Sequence, residues 1–276
     1  IDSGMGRVGL APAEAGRFAE HVRDHCPHLR VEGAFTHFAV SDSADPEAVA
    51  FTDRQLTAFR QGVAALSENL GYLVEIVHAA NSGGVLGHPG PWGNLVRPGI
   101  MTYGYYPDPG TPRTIELRPA LEWRAPVTFI KRVPAGETVS YGRTWTAPSD
   151  TWVATLPVGY ADGYRRLLSN TGRVLADGHE FTVAGRVCMD QTMIDLGPAA
   201  GGSGSRPALD VGDEVVLLGE SEQVRYTAEE MAADLDTIPY EVLTLIGGRV
   251  RREYRENSEI TESSANTESS ANAGRP

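Results

Sequence analysis

Six short stretches of this 276-residue chain gather the side chains that can do chemistry. HAANSGG, residues 78–84, follows an apolar run and offers an amide at Asn81, a hydroxyl at Ser82 and flexible backbone N–H groups. Such a loop can cradle a phosphate, above all where a helix begins. It is equally an ordinary strand-to-helix turn with Ser82 as the cap. RPGI, residues 97–100, puts Arg97 at the end of another apolar run and Gly99 where backbone can approach a ligand. Alone, Arg97 is a surface arginine; on a unit adjacent to Ser82 it completes an anion site. GYADGYRR, residues 159–166, sets Tyr160 and Tyr164 with an aspartate in a strand-end turn. A tyrosine so placed moves a proton if nearby cations lower its pKa, or is simply packed with its hydroxyl satisfied. CMDQ brings Met189 and Asp190 to a similar rim position. THFAVSD flanks a strand end with His37 and Asp42, where a lone histidine is commonly a hydrogen-bonded structural residue. IDSGMGR opens the chain on a glycine-rich turn holding Arg7. Lys131 is the only lysine, so chemistry that needs a neutral amine has one candidate here, because a guanidinium stays protonated.

Composition narrows the classes. A formal net charge of −12 argues against a nucleic-acid groove, which needs a basic face. Hydrophobic content of 41% supplies a core, and no apolar run reaches the length of a membrane span, so a soluble, cytoplasmic protein is expected. Cys26 and Cys188 lie far apart without metal-ligand spacing and read as reduced thiols; no metal site is expected.

The elements that must position these residues change character along the chain. Residues 12–24 read as a helix and 34–40 as a short buried strand. A helix starting at Pro46 buries Leu56, Phe59, Val63, Leu66 and Leu70 at 3-4-3-4 spacing. LVEIVHAA and LVRPGIMTYG read as further strands. Three or four parallel βα units result, half a barrel or a small open sheet, with polar residues gathered at the strand ends. After about residue 111 short strands punctuated by Gly, Asp and Pro indicate an all-β domain, ending in a short helix and a final element. Residues 200–207 read as a loop insertion. Residues 255–276, in which TESSAN occurs twice in tandem, read as a disordered tail.

Together, IDSGMGRVG, THFAVSD, HAANS, VRPGIMTYG, VGYADGYRR and GRVCMDQ, with IPYEVLTLIGGRV more loosely, resemble the alanine racemase family over about residues 1–250. The resemblance implies an α/β plus all-β fold: residues 1–112 as the second half of a (β/α)8 TIM-type barrel, then a β-rich domain over 113–254. It implies pyridoxal 5′-phosphate as cofactor and a head-to-tail homodimer with shared active sites. The activity implied is two-base interconversion of L- and D-alanine, which supplies cell-wall peptidoglycan.

By the same resemblance Asn81, Ser82, Gly99 and Ile100 surround the phosphate, and Arg97 faces the pyridine nitrogen. His37 packs near the ring, and Tyr160 is the acid/base acting on the partner chain's cofactor. Met189 and Asp190 border the substrate, Arg7 holds a carbamate or the substrate carboxylate, and Asp42 and Arg186 line the access channel. The family's cofactor lysine and a carbamylated lysine would lie before Ile1, the second directly so. The chain by itself is then expected to be a non-catalytic fragment. Another barrel-type racemase or an amino-acid decarboxylase is the alternative reading. One departure stands out: many relatives carry a tyrosine at the position of Gly248, which implies a looser phosphate grip here, or another tyrosine in its place.

Overall fold

The computed structural model describes residues 1–88, 90, 93–199 and 206–255. Most of the expected loop insertion at 200–207, and the expected tail beyond Arg255, lie outside the described residues.

The first part is α/β. A 3-10 turn at Pro12–Glu14 leads into α1 (Ala15–His25), so the helix expected over 12–24 is present. β1 (Gly33–Phe35) is followed by α2 (Pro46–Leu70), β2 (Ile76–His78) and α3 (Ser82–Gly87). The bounds of α2 follow from its ends. The Asp45 carboxylate accepts hydrogen bonds from the Glu47 and Ala48 amides, Pro46 needs no donor at the first position, and Gly71 closes the helix at φ 78°. Phe59, Leu66 and Leu70 are buried against α1, with Leu56 and Val63 partly so, as the spacing predicts.

β1 and β2 pair in parallel, with Ala34 opposite Val77 and Phe35 opposite His78. The strand expected over 34–40 stops at Phe35. Beyond Thr36 the backbone bonds sideways, with the Ala39 amide donating to Gln55 Oε1 of α2. LVRPGIMTYG is not a strand either. The Arg97 amide donates to the Ala80 carbonyl, but Pro98 has no N–H to continue a ladder, and Ile100–Tyr103 close into a 3-10 turn.

The second part is antiparallel. Its strands are β3 (Trp123–Pro126), β4 (Phe129–Val133), β5 (Thr138–Val139), β6 (Trp145–Thr146), β7 (Thr151–Leu156), β8 (Arg173–Ala176), β9 (His179–Thr182), β10 (Thr192–Pro198), β11 (Glu214–Ser221) and β12 (Val224–Tyr226). Two short helices end it, α4 (Ala228–Asp234) and α5 (Pro239–Leu245). β10, β7 and β4 form one sheet; β12, β11, β8 and β9 form another, with β3 on β11. Alternate residues of β10 are buried, while Val215–Leu218 of β11 are buried without alternation, the mark of a strand covered on both faces.

The large core of this part includes Trp123, Leu156, Ile194 and Leu217, and it reaches back to Ile100 and Tyr105. The chain folds over itself there. The Ala120 amide donates to the Tyr103 carbonyl at 3.0 Å, and Gly104, at φ 84°, lies so near the Arg118 carbonyl that a Cβ would collide with it. Among the described residues no helix is long and apolar enough to cross a membrane, and no three His, Cys, Asp or Glu side chains gather as for a metal.

Candidate active site

The loop after β2 is built by Asn81. Its side-chain oxygen accepts from the Gly84 amide at 2.9 Å and from the Ser41 hydroxyl at 2.7 Å. Asn81 is therefore the cap of α3, and the expectation that Ser82 fills that role is corrected: Ser82 is one position too far along to cap. Freed from capping, the Ser82 hydroxyl accepts from the Gly99 amide at 2.9 Å and from the Met101 amide at 3.4 Å. So Ser82, only 2% exposed, and exposed Gly99 are brought together, with Ile100 buried beneath them. The glycines of the loop serve packing. A Cβ on Gly83 would stand 2.7 Å from the Asp42 amide nitrogen, which holds Asp42 against α3. The Asp42 carbonyl in turn accepts from the Thr111 hydroxyl.

A residue absent from the expected set joins this group. The Tyr240 side chain, on α5, lies beside Ser82 and near Asp42. Burial and then the Asp42 charge push its pKa up, against a smaller lowering by the Ser82 side chain. Its signal was the looser match of IPYEVLTLIGGRV. At Gly248 a Cβ would meet nothing within 4 Å.

Arg97 is fixed by three bonds: to His78 Nδ1 at 2.6 Å, to the Thr36 carbonyl at 2.8 Å and to the Ala79 carbonyl at 3.1 Å. It also lies over the Phe35 ring, which stacks on His78. An arginine only donates, so His78 Nδ1 must be the acceptor and the ring neutral. Burial, and then the Arg97 charge, lower the His78 pKa in agreement. His78 too was missed, although it opens the HAANS stretch. Burial lowers the His37 pKa first, then the cations of Arg7 and Arg97. Burial and then Arg7 lower that of Arg97 itself. Arg7, Phe35, Thr36 and His37 line a cleft of 210 Å³ beside the chain's first residues. The turn carrying Arg7 is shaped by the Asp2 carboxylate, which accepts from the Gly4 and Gly6 amides at 3.0 Å. The His37 loop is held by Gln55 of α2, whose amide donates to the His37 carbonyl at 3.1 Å.

The second group stands on the β-rich part. Of the two tyrosines in GYADGYRR, Tyr164 is core, 0% exposed, edge-on to Trp123, with its pKa pushed up by burial. Tyr160 is 42% exposed. The Tyr160 and Ala161 amides donate to the Cys188 and Met189 carbonyls, each at 3.0 Å, so the turn and CMDQ form one rim. Met189 and Asp190 are exposed there. The Arg186 carbonyl accepts from the Ser140 hydroxyl at 2.6 Å. Among the described residues none of the Tyr160, Met189, Asp190 or Arg186 side chains bonds Arg7, His37, Ser82 or Arg97 within the chain. Lys131 is exposed on β4, opposite Val153 of β7, in neither group.

The cofactor expected from the sequence fits the first group. The buried Ser82 hydroxyl, exposed Gly99 whose amide bonds that hydroxyl, and the Tyr240 phenol stand together, a polar set that suits a phosphate. Arg97 spends three of its five N–H donors on protein acceptors, leaving others for a ring nitrogen.

A family model described as "Alanine racemase, N-terminal domain" matches residues 1–107, and one described as "Alanine racemase, C-terminal domain" matches residues 120–254. The alanine racemase of Cutibacterium acnes is 46% identical over 252 residues, covering 91% of this chain and 64% of the relative. That of Chlorobaculum tepidum is 42% identical, covering 91% of this chain and 62% of the relative. Among solved structures, alanine racemase from Bacillus anthracis with bound L-Ala-P superposes with a TM-score of 0.83 at 35% identity, covering 93% of this chain and 64% of that one. The Streptomyces coelicolor enzyme gives 0.82 at 40% identity, covering 93% and 65%. The chain thus spans a little under two thirds of the relatives it matches. With both family models matched in order, and with the folds of the two parts superposing on these enzymes, the chain belongs to the alanine racemase family.

Proposed function

We propose that the protein is an alanine racemase that interconverts L- and D-alanine with pyridoxal 5′-phosphate and supplies D-alanine for peptidoglycan. The observation that carries this reading is the convergence of the Ser82 hydroxyl, the Gly99 amide and the Tyr240 phenol beside a clamped Arg97. Residues 1–112 are read as the second half of a (β/α)8 barrel, 113–254 as the β-rich domain and 255–276 as a tail.

The coenzyme, when bound, supplies the electron sink that makes the α-hydrogen of alanine acidic. Ser82, Gly99, Ile100 and Tyr240 would hold its phosphate, with Asn81 keeping their loop in place. Arg97 would face the pyridine nitrogen and, because a guanidinium cannot give up its proton, would leave that nitrogen unprotonated, which would temper the sink and favour simple proton exchange. The carbonyls of Thr36 and Ala79 and neutral His78 fix the guanidinium in one orientation. His37 packs near the ring, Arg7 holds the carboxylate side, and Asp42 and Arg186 line the access path. Tyr160 takes or gives the proton on one face of the substrate, with Met189 and Asp190 bordering it. In this reading Tyr160, which makes no bond to Ser82 or Arg97 among the described residues, serves the site of a second copy, so the enzyme works as a homodimer. The unpaired thiols of Cys26 and Cys188 suit a cytoplasmic setting.

The complete protein, incubated with coenzyme and either enantiomer of alanine, is expected to bring it to the racemic mixture and to leave serine and lysine largely unchanged. Turnover of lysine, or loss of carbon dioxide, would replace the reading by another barrel-type enzyme of the same cofactor. Residues 1–276 alone are expected to give no imine absorbance with the coenzyme, since exposed Lys131 is their only lysine and lies outside the site.

A further inference from the structure

Arg249 joins two loops that otherwise meet only through backbone. Its Nε lies 3.1 Å from Asp162 Oδ1, and a terminal nitrogen donates to Asp190 Oδ1 at 2.7 Å. Asp162 is two residues after Tyr160 and buried, and Asp190 follows Met189 on the opposing loop. The other oxygen of Asp162 accepts from the Gly159 amide at 3.0 Å, closing the turn on itself. One planar guanidinium therefore hydrogen-bonds Asp190 and ion-pairs with Asp162, reaching both carboxylates at once from two different nitrogens.

The rest of the turn leaves little slack. A Cβ on Gly159 would collide with the Cys188 and Met189 carbonyls, and one on Gly163, at φ 106°, with the Leu245 carbonyl. The Gly247 amide donates to the Asp162 carbonyl at 2.7 Å, and Arg252 donates to the carbonyls of Gly247 and Ile246. The Tyr160 turn is thus pressed between the CMDQ loop on one side and the segment after α5 on the other. Arg249 is the side chain that belongs to the second and grips the first.

We propose that Arg249 is a positioning residue for the reaction: it locks the Tyr160 turn in register with the Met189–Asp190 loop, so that the phenol is held where the α-hydrogen passes. This rests on the role given to Tyr160 above. Arg249 touches neither substrate nor coenzyme in this account; it acts through Asp162 and Asp190.

The test uses the complete, coenzyme-loaded protein and two readouts. Hydrogen exchange is followed in the peptides spanning 159–164 and 188–190. In Arg249→Met their protection is expected to fall about tenfold while that of β7 and β11 is unchanged. Kinetically, kcat is expected to fall about 10- to 100-fold with KM within about threefold, as for an interaction realised in the transition state. With α-deuterated alanine, the isotope effect on kcat/KM should rise in the direction in which Tyr160 removes the hydrogen. In the opposite direction it should fall towards unity, because return of the proton becomes the slow step. A general loss of folding would lower turnover without that opposed change. Arg249→Lys should rescue less than half of the lost turnover, because a single ammonium cannot reach both carboxylates from separate nitrogens. Should Arg249→Met not fold, Arg249→Gln keeps a polar side chain there without the charge and carries the same measurements. Unchanged exchange at 159–164, or isotope effects equal to the parent's in both directions, would overturn the proposal. A parent that does not racemise alanine would instead overturn the proposed function, and the exchange measurement would still decide the clamp.

Discussion

Ser82 does its work by not being a cap. With Asn81 holding the start of α3, the Ser82 hydroxyl is left to receive the Gly99 and Met101 amides, with Tyr240 beside it. Ser82→Ala removes these bonds from a buried hydroxyl to partners that water can reach, and is expected to cost about 1 kcal/mol of stability, read as a drop in urea midpoint. In the complete protein it should also weaken coenzyme binding measurably by absorbance titration. A second prediction concerns acid. His78, held neutral by Arg97, and His37 both have pKa values lowered from the ordinary 6.5. The unfolded chain then binds protons that the folded one refuses. Stability is whole above pH 6.5 and declines as pH falls through it towards the lowered folded values. Tm measured from pH 8 to 5 should show that decline, and His78→Gln, an acceptor at every pH, should make it shallower. Residue types carried much of this in the sequence. Ser82, Gly99 and Arg97 stand in short glycine-bearing stretches where backbone must come close. His78 and Tyr240 stood inside matched stretches, but their roles were not legible, because each acts beside another side chain, and such a pairing over 19 or more positions leaves no local pattern.

At the scale of elements, periodicity served the helices better than the strands. The 3-4-3-4 spacing of α2 located one face, and Asp45, Pro46 and Gly71 located its ends. The strands of the α/β part came out shorter than their apolar runs. Past Thr36, Phe38 is buried without being paired, whereas Leu95 and Val96 are exposed and Pro98 removes a donor. An apolar run does not make a ladder unless its backbone finds a partner. The β-rich part was more legible because its turns are marked by glycines with positive φ. Gly163, at φ 106°, is the clearest: an alanine there would have both an unfavourable backbone and a collision with the Leu245 carbonyl. Gly163→Ala is expected to lose about 2 kcal/mol or more in chemical denaturation, and to reduce turnover further by moving Tyr160.

For the whole molecule, the proposed sharing of Tyr160 between two copies makes a prediction of its own. Tyr160→Phe and Arg97→Glu, each in the complete protein, should be nearly inactive alone. Mixed in equal amounts, unfolded and refolded together, they should recover about a quarter of parental activity, because half of the random pairs contain one intact composite site of two. Recovery of none would mean that each copy uses its own tyrosine. The barrel-and-β-domain architecture was readable only through the order of several motifs; composition and periodicity alone stopped at an α/β part followed by an antiparallel one. Nor did any local signal mark where those parts meet. Ile100 is rooted in the core of the β-rich part, one residue after Gly99 lends its amide to Ser82, and α5 of that same part sends Tyr240 back to the neighbourhood of Ser82. A chimaera that grafts a relative's β half onto this chain would therefore exchange part of the coenzyme's grip along with the rim. Its splice must fall upstream of Gly99 and carry the cognate end of the chain with it, or the two grafted pieces will meet with mismatched halves of one pocket.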